Sequence, residues 1–332
     1  MISQLLPRLS YYLILLLAAL LLALLQSPLF SAAENTGSSQ TMINAYGSPI
    51  KIFLFRPSCS NPSILFVFHG LNRRAKRARD NAINIAKISC LMVFAPLFDK
   101  DSFPNWRYHR AGVVRHGQVQ PRSRWTAKVL TALLDFSRQH VANPNAKIYL
   151  FGHSAGGQFL SRSFAYSSFP DVERVVIANP SVYVEPTLDV DAPYGLAGVF
   201  DQDQAIERLN SYLSSPISIY IGTKDTGDKY LVQNHMANRQ GRNRYDRGRH
   251  IFSNALSEAE RQNTLFRWRL VEACGIGHSS AGMLNAAEIR HALGLSKNKS
   301  SRQHRCAKEH TRHDIEPAKN GTHSALKALT QH

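Results

Sequence analysis

Acidic side chains are scarce in this sequence: 23 Asp and Glu stand against 40 Lys and Arg in 332 residues, a formal charge of +17 at pH 7. The excess is dispersed. One cluster is RRAKRAR (73–79), a second lies among the arginines of 239–249, and from Ser296 onward eight basic residues face three acidic ones. These clusters lack the regular interleaving of aromatics that a nucleic-acid groove would carry. They read as a solvated basic surface, with no dedicated nucleic-acid binding expected. Attraction to an anionic membrane or polymer is compatible with such a surface.

Other absences narrow the chemistry. There is no C-x-x-C pair, no H-E-x-x-H, no P-loop and no dinucleotide glycine fingerprint, so neither a metal nor an organic cofactor is implied. No internal repeat stands out. Cysteine is limited to Cys59, Cys90, Cys274 and Cys306, an even set with three possible pairings. Cys59 and Cys90 each precede an apolar run, which makes a bridge between neighbouring strands the first expectation and free buried thiols the alternative.

One apolar run approaches membrane length, and it stands at the start. Arg8 is the only charge before residues 11–25, Pro28 follows, and Ser31-Ala32-Ala33 supplies small residues for a cut before Glu34. That is the layout of a secretory signal peptide over 1–33, an uncleaved membrane anchor being the alternative. Export, periplasmic or secreted, would place all four cysteines where disulfides persist. A polar linker is expected over 34–48 and a basic, disordered tail over 296–332.

Between them, short unbroken apolar runs recur: PIKIFLF (49–55), SILFVFHG (63–70), LMVFAP (91–96), AKIYLFG (146–152), RVVIANP (174–180), ISIYIG (217–222) and FRWRLV (266–271). Such runs suit strands buried on both faces. Helical patterns fall between them at 73–89, 123–139, 247–263 and 282–295. In the second, Trp125, Val129, Leu130, Leu133 and Leu134 share a face. This alternation predicts an α/β domain over 49–295, a mostly parallel central sheet with helices on both faces. Two stretches fit no period, 97–122 and 181–215. Long connections of this kind are read as walls or a cap over a site, with 181–215 as a cap-like insertion.

Sites in open parallel sheets form at the carboxyl ends of strands. Ser154 follows IYLF within G-H-S-A-G, Asp225 follows ISIYIGTK, and His278 in GIGHSSAGM follows FRWRLV. A serine hydroxyl needs an imidazole to take its proton, and the imidazole needs a carboxylate on its other nitrogen. Gly152, Gly156 and Gly157 would relieve crowding at the turn. The amides of Ala155 and of Leu71, in the loop after FVFHG, are candidate oxyanion donors. Asp228 is the rival acid. His69 reads as a structural residue of its loop, and His153 as a packed residue pointing away from the site. Trp106 and Tyr108 are candidates for the pocket wall, an aromatic loop packed on the cap being the other reading.

With VFHGLN, LFGHSAGGQF, YIGTKDTGD, NRYDRGRHIF and GIGHSSAGM in place, residues 50–294 resemble the α/β-hydrolase superfamily, and within it exported esterases similar to polyhydroxybutyrate depolymerases. The resemblance implies Ser154 as nucleophile, Asp225 as acid, His278 as base and the Leu71 and Ala155 amides as oxyanion hole. It implies a serine hydrolase acting on a small-molecule or oligomeric ester. No separate substrate-binding domain or Ser/Thr-rich linker is visible, which favours small esters over polymer. An acyltransferase or peptidase would use the same residues, and a non-catalytic binding protein could keep the same scaffold.

Overall fold

The apolar runs form strands. The computed structural model describes residues 36–296 and 303–306; the expected leader and most of the expected tail lie outside the described residues. In chain order the strands are β1 (Gly37–Ala45), β2 (Ser48–Arg56), β3 (Ser63–Phe68), β4 (Leu91–Pro96), β5 (Val114–Arg115), β6 (Gln118–Val119), β7 (Ile148–His153), β8 (Val172–Ala178), β9 (Ile217–Gly222), β10 (Arg269–Ala273) and β11 (Gln303–His304). Strands β5 and β6 pair only with each other, and the rest form one sheet ordered β1-β2-β4-β3-β7-β8-β9-β10-β11. Strand β2 is antiparallel to β4, and every pair from β4 to β11 is parallel.

The helices are α1 (Ala75–Asn81), α2 (Ile83–Ser89), α3 (Asn105–Tyr108), α4 (Ala127–Gln139), α5 (Ala155–Tyr166), α6 (Gln202–Leu213), α7 (His235–Arg239), α8 (Arg244–Arg261), α9 (Ser280–Asn285) and α10 (Ile289–Ala292). Period-two alternation divides each inner strand between two cores. Ile64, Phe66 and Phe68 of β3 join α4, α5, α6 and α8 through residues such as Leu133, Phe159, Leu209 and Ile251. Leu65 and Val67 join α1, α2, α9 and α10 through Ala78, Ile85, Met283 and Ile289. Both faces are therefore apolar, and that is why these strands read as continuous runs. Among the described residues no helix is long and apolar enough to cross a membrane.

Several expectations are corrected. Residues 37–45 of the expected 34–48 linker form strand β1, and Tyr46 and Gly47 both take positive φ, as a two-residue hairpin turn requires. As an edge strand with most of its residues exposed, β1 carries too few apolar residues to be read as one. Within the expected tail, Gln303–His304 pairs with β10, and Cys306 bonds Cys274. The 73–89 pattern is two helices meeting at Ala82. Part of the 181–215 insertion is α6, which packs on α5 and α8 as a crossover helix. The expected bridge between neighbouring strands, by contrast, is present: Cys59–Cys90 joins the segments that enter the adjacent strands β3 and β4.

Candidate active site

Strand β3 lies between β4 and β7, and the chain leaves β3 for α1 on one face but leaves β7 for α5 on the other. This reversal opens a crevice at the carboxyl ends of the strands, and the HG loop and the serine turn meet there. Ser154 sits between β7 and α5 at φ 57° and ψ −116°, a region non-glycine residues occupy only when their surroundings force it. Its amide donates to the Ala178 carbonyl at 2.9 Å, and its carbonyl accepts from the Gln158 amide at 3.0 Å. A Cβ at Gly152 would collide with the Gly156 carbonyl, and one at Gly156 with the Phe68 carbonyl. Strand, turn and helix thus come closer together than any side chain allows.

The loops after β9 and β10 are tied together. Thr223 donates its amide to Ala273 at 3.1 Å, Lys224 donates to Ile276 at 2.9 Å, and the Gly275 amide donates to Thr223 Oγ1 at 2.8 Å. These bonds set Asp225 against His278: Nδ1 lies 2.7 Å from Asp225 Oδ2, and Nε2 lies 3.2 Å from Ser154 Oγ. Asp228, the rival acid, is exposed and makes no bond to the imidazole. The arrangement can pass a proton from a serine hydroxyl to an imidazole whose other nitrogen donates to a carboxylate.

Asp225 is itself anchored by a residue that sequence reasoning missed. Arg244, at the start of α8, places Nη1 3.5 Å from Asp225 Oδ1. Its guanidinium also donates to the carbonyls of Gly227 at 3.3 Å and Lys229 at 2.7 Å. NRYDRG was visible as a motif, but nothing local shows which carboxylate its first arginine meets.

His153 does not point away from the site. Its ring centroid is 4.6 Å from that of His278, and it lines the same cavity. Alternation places it on the face of Tyr149 and Phe151, where α9 and the preceding His278 loop also pack. Burial pushes its pKa well below the usual histidine value, with the neighbouring His278 and Arg244 adding to the effect. His69 is buried in its loop: Nδ1 lies 3.0 Å from the Gly70 carbonyl, and Nε2 accepts the Phe98 amide at 3.1 Å.

Ser154 opens into a cavity of about 1140 Å³ whose lining includes Leu71, Ala155, Trp106, Asp225 and His278. Ser181, Val182, Pro193 and Tyr194 of the 181–215 stretch contribute to its wall, as do residues of the 97–122 stretch. Trp106 lines it, with the Arg115 guanidinium 5.0 Å from the ring centre. Tyr108 does not. It is fully buried behind the HG loop, where its hydroxyl donates to the His69 carbonyl at 2.7 Å and its ring stacks on Phe98 and Phe159. The short helix α3 sends the tryptophan and the tyrosine, two residues apart, to different sides. Leu71 and Ala155 line the cavity beside Ser154: Gly70, which precedes Leu71, would bring a Cβ within 3.8 Å of Ser154 Cβ, and Ala155 follows Ser154 directly.

No protein-family model and no curated protein sequence matches the chain. Solved structures do. Poly(aspartic acid) hydrolase-1 from Sphingomonas sp. KT-1 superposes with a TM-score of 0.70 at 29% identity, over 79% of this chain and 98% of that one. The poly(3-hydroxybutyrate) depolymerase LpqC from Bordetella parapertussis gives 0.69 at 28% identity, over 76% and 88%. Strand order, the crevice where the serine turn sits and this likeness lead to one conclusion: the chain is an α/β-hydrolase enzyme resembling polyhydroxybutyrate depolymerase-like esterases.

Proposed function

We propose that the chain is an exported serine hydrolase that cleaves carboxylic esters through an acyl-enzyme, with residues 49–295 as the catalytic domain behind a leader at 1–33. The observation that carries the reading is the unbroken line Ser154 Oγ–His278–Asp225 at the cavity floor. Ser154 Oγ attacks the ester carbonyl while His278 Nε2 takes its proton. The imidazolium, steadied by Asp225 on Nδ1, then protonates the leaving alkoxide. Water, deprotonated by the same nitrogen, attacks the acyl-enzyme and releases the acid, returning the proton to Ser154.

The tetrahedral oxyanion is placed against the amides of Ala155 and Leu71. The Gly70 carbonyl accepts from the Arg73 amide at 3.2 Å, and in a trans peptide the Leu71 N–H points the opposite way. Each such donor contributes about 10²–10³ in turnover. The two disulfides support export, since such bonds persist in oxidising compartments. The likeness to a poly(aspartic acid) hydrolase favours one second reading, an amide as the scissile bond. Leaderless protein should hydrolyse short p-nitrophenyl acyl esters and take up a fluorophosphonate on Ser154. Undiminished turnover in a folded Ser154→Ala protein, or labelling of a different serine, would sink the mechanism; a peptide-amide panel run beside the esters decides the bond.

A further inference from the structure

Among the described residues, the buried arginines other than Arg162 each reach two or more acceptors. Arg73 reaches Phe98 O and Asn105 Oδ1; Arg174 reaches two carbonyls; Arg244 has Asp225 and two carbonyls; Arg247 donates to Gly241, Ser181, Val232 and Asn238. Arg162, on α5, is 2% exposed and has a single long bond, Nη1 to the Gln158 carbonyl at 3.3 Å. Its Nε has no partner, which is also true of Arg73, Arg174 and Arg244; the single bond is what sets Arg162 apart. No carboxylate among the described residues pairs with it, and none of the phenols around it accepts a hydrogen bond from it. Tyr166 donates to Gly195, Tyr212 donates to Val184, and Tyr194 accepts from Asn234. A buried cation without a counter-charge is costly unless something else supplies the acceptors.

Its position says what would supply them. Ser154, Gln158 and Arg162 are spaced four apart on one face of α5, and all three line the active-site cavity. Two neighbours face the same corner. Arg110 is exposed with no ion pair, and His109 holds an unpartnered, buried Nε2. Burial, with Arg73, Arg162 and Arg110 nearby, pushes His109 down to about 3, so it stands there as a neutral donor or acceptor. The wider lining has the same sign: Arg74, Arg77, Lys224 and Lys229 are all exposed along it.

We propose that Arg162, flanked by Arg110 and His109, is a carboxylate-binding subsite, and that the enzyme's preferred substrates are esters carrying a free carboxylate near the scissile bond. Eight residues of helix separate Arg162 from Ser154, and the long side chain leans back toward the helix start. The carboxylate therefore sits roughly 6–10 Å from the carbonyl under attack. A planar guanidinium fork matches a carboxylate with two parallel charge-assisted bonds, which a neutral acyl chain cannot replace. The proposal rests on the hydrolase reading for its substrate, but the subsite can be measured without turnover.

The kinetic test compares matched ester pairs: p-nitrophenyl hemiesters of adipic and suberic acid against hexanoate and octanoate, and the acetate of hydroxyhexanoic acid against hexyl acetate. The first pairs put the carboxylate in the acyl half, the last in the alcohol half. In at least one half the charged member should show the higher kcat/KM, and Arg162→Met should lower the charged-to-neutral ratio by about 10- to 100-fold, the range for losing a hydrogen bond to a charged group. A ratio equal in wild type and variant for both halves overturns the subsite. If Arg162→Met does not fold, Arg110→Gln at the rim should lower the same ratio, and in the wild type adipate or suberate should inhibit where the uncharged diamides of the same acids at equal concentration do not. Calorimetry on the Ser154→Ala protein separates the two proposals. Dicarboxylate binding without wild-type turnover sinks the hydrolase mechanism alone, and turnover without dicarboxylate binding sinks the subsite alone.

Discussion

Arg244 stands 3.5 Å from Asp225 in a buried ion pair, both side chains 1% exposed. The contact is to Oδ1, which leaves Oδ2 for His278 at 2.7 Å. A carboxylate held at both oxygens cannot rotate, so the arginine determines how the imidazole is presented to Ser154. Under the proposed mechanism it acts through Asp225, as a positioning residue.

Arg244→Met removes one partner of a buried pair and should destabilise the fold by about 3–5 kcal/mol. Arg244→Lys should recover only part of this, because an ammonium cannot serve Asp225 and two carbonyls with one fork. Urea unfolding gives the stability, and kcat on p-nitrophenyl butyrate should fall about tenfold or more in the Met variant. Full stability and kcat in that variant would mean the pair orients nothing.

His69 sets a pH dependence of stability. Burial lowers its pKa to about 4, against 6.5 for an exposed imidazole. Between those values the unfolded chain holds a proton that the folded chain refuses, so stability falls as pH drops from about 6.5 toward 4. The His69 share is about 3 kcal/mol. His109, lowered to about 3, acts in the same direction. Urea midpoints at pH 7 and 4.5 should differ accordingly, and His69→Gln should flatten the dependence.

Gly156→Ala forces a methyl against the Phe68 carbonyl. The loss of stability should be about 1–3 kcal/mol. Turnover should fall further than stability explains, because β3 carries the HG loop that borders Ser154. Thermal melts and kcat/KM on the folded fraction separate the two effects.

Cys306→Ser opens a bridge of sequence separation 32. Closing a loop of that length constrains the unfolded chain by about 3–4 kcal/mol, so the thermal midpoint should drop. The amides of β10 should also exchange faster once β11 is no longer tethered. A variant with wild-type melting and exchange would show that the bridge restrains nothing beyond the strand pairing.

The sequence alone determined the parts that depend on neighbours in the chain. Strands buried on both faces are apolar throughout, so β3, β4, β7, β8 and β9 were legible as runs. The glycines around Ser154 declared a turn too crowded for side chains, and the order of Ser154, Asp225 and His278 matched their strands. Tertiary structure decided the rest. Strand β1 has one exposed edge and few apolar residues, and β11 is two residues long, so only pairing makes them strands. Whether Tyr108 faces the cavity, whether His153 meets His278 and which carboxylate Arg244 finds depend on what packs against each element. Arg162 is the clearest case. Along the chain it is one more basic residue in an excess of seventeen, and only the cavity at its side and its single long hydrogen bond distinguish it from the other buried arginines. Local propensity is written in adjacent residues, whereas the partner of a long side chain is chosen by segments far away in sequence.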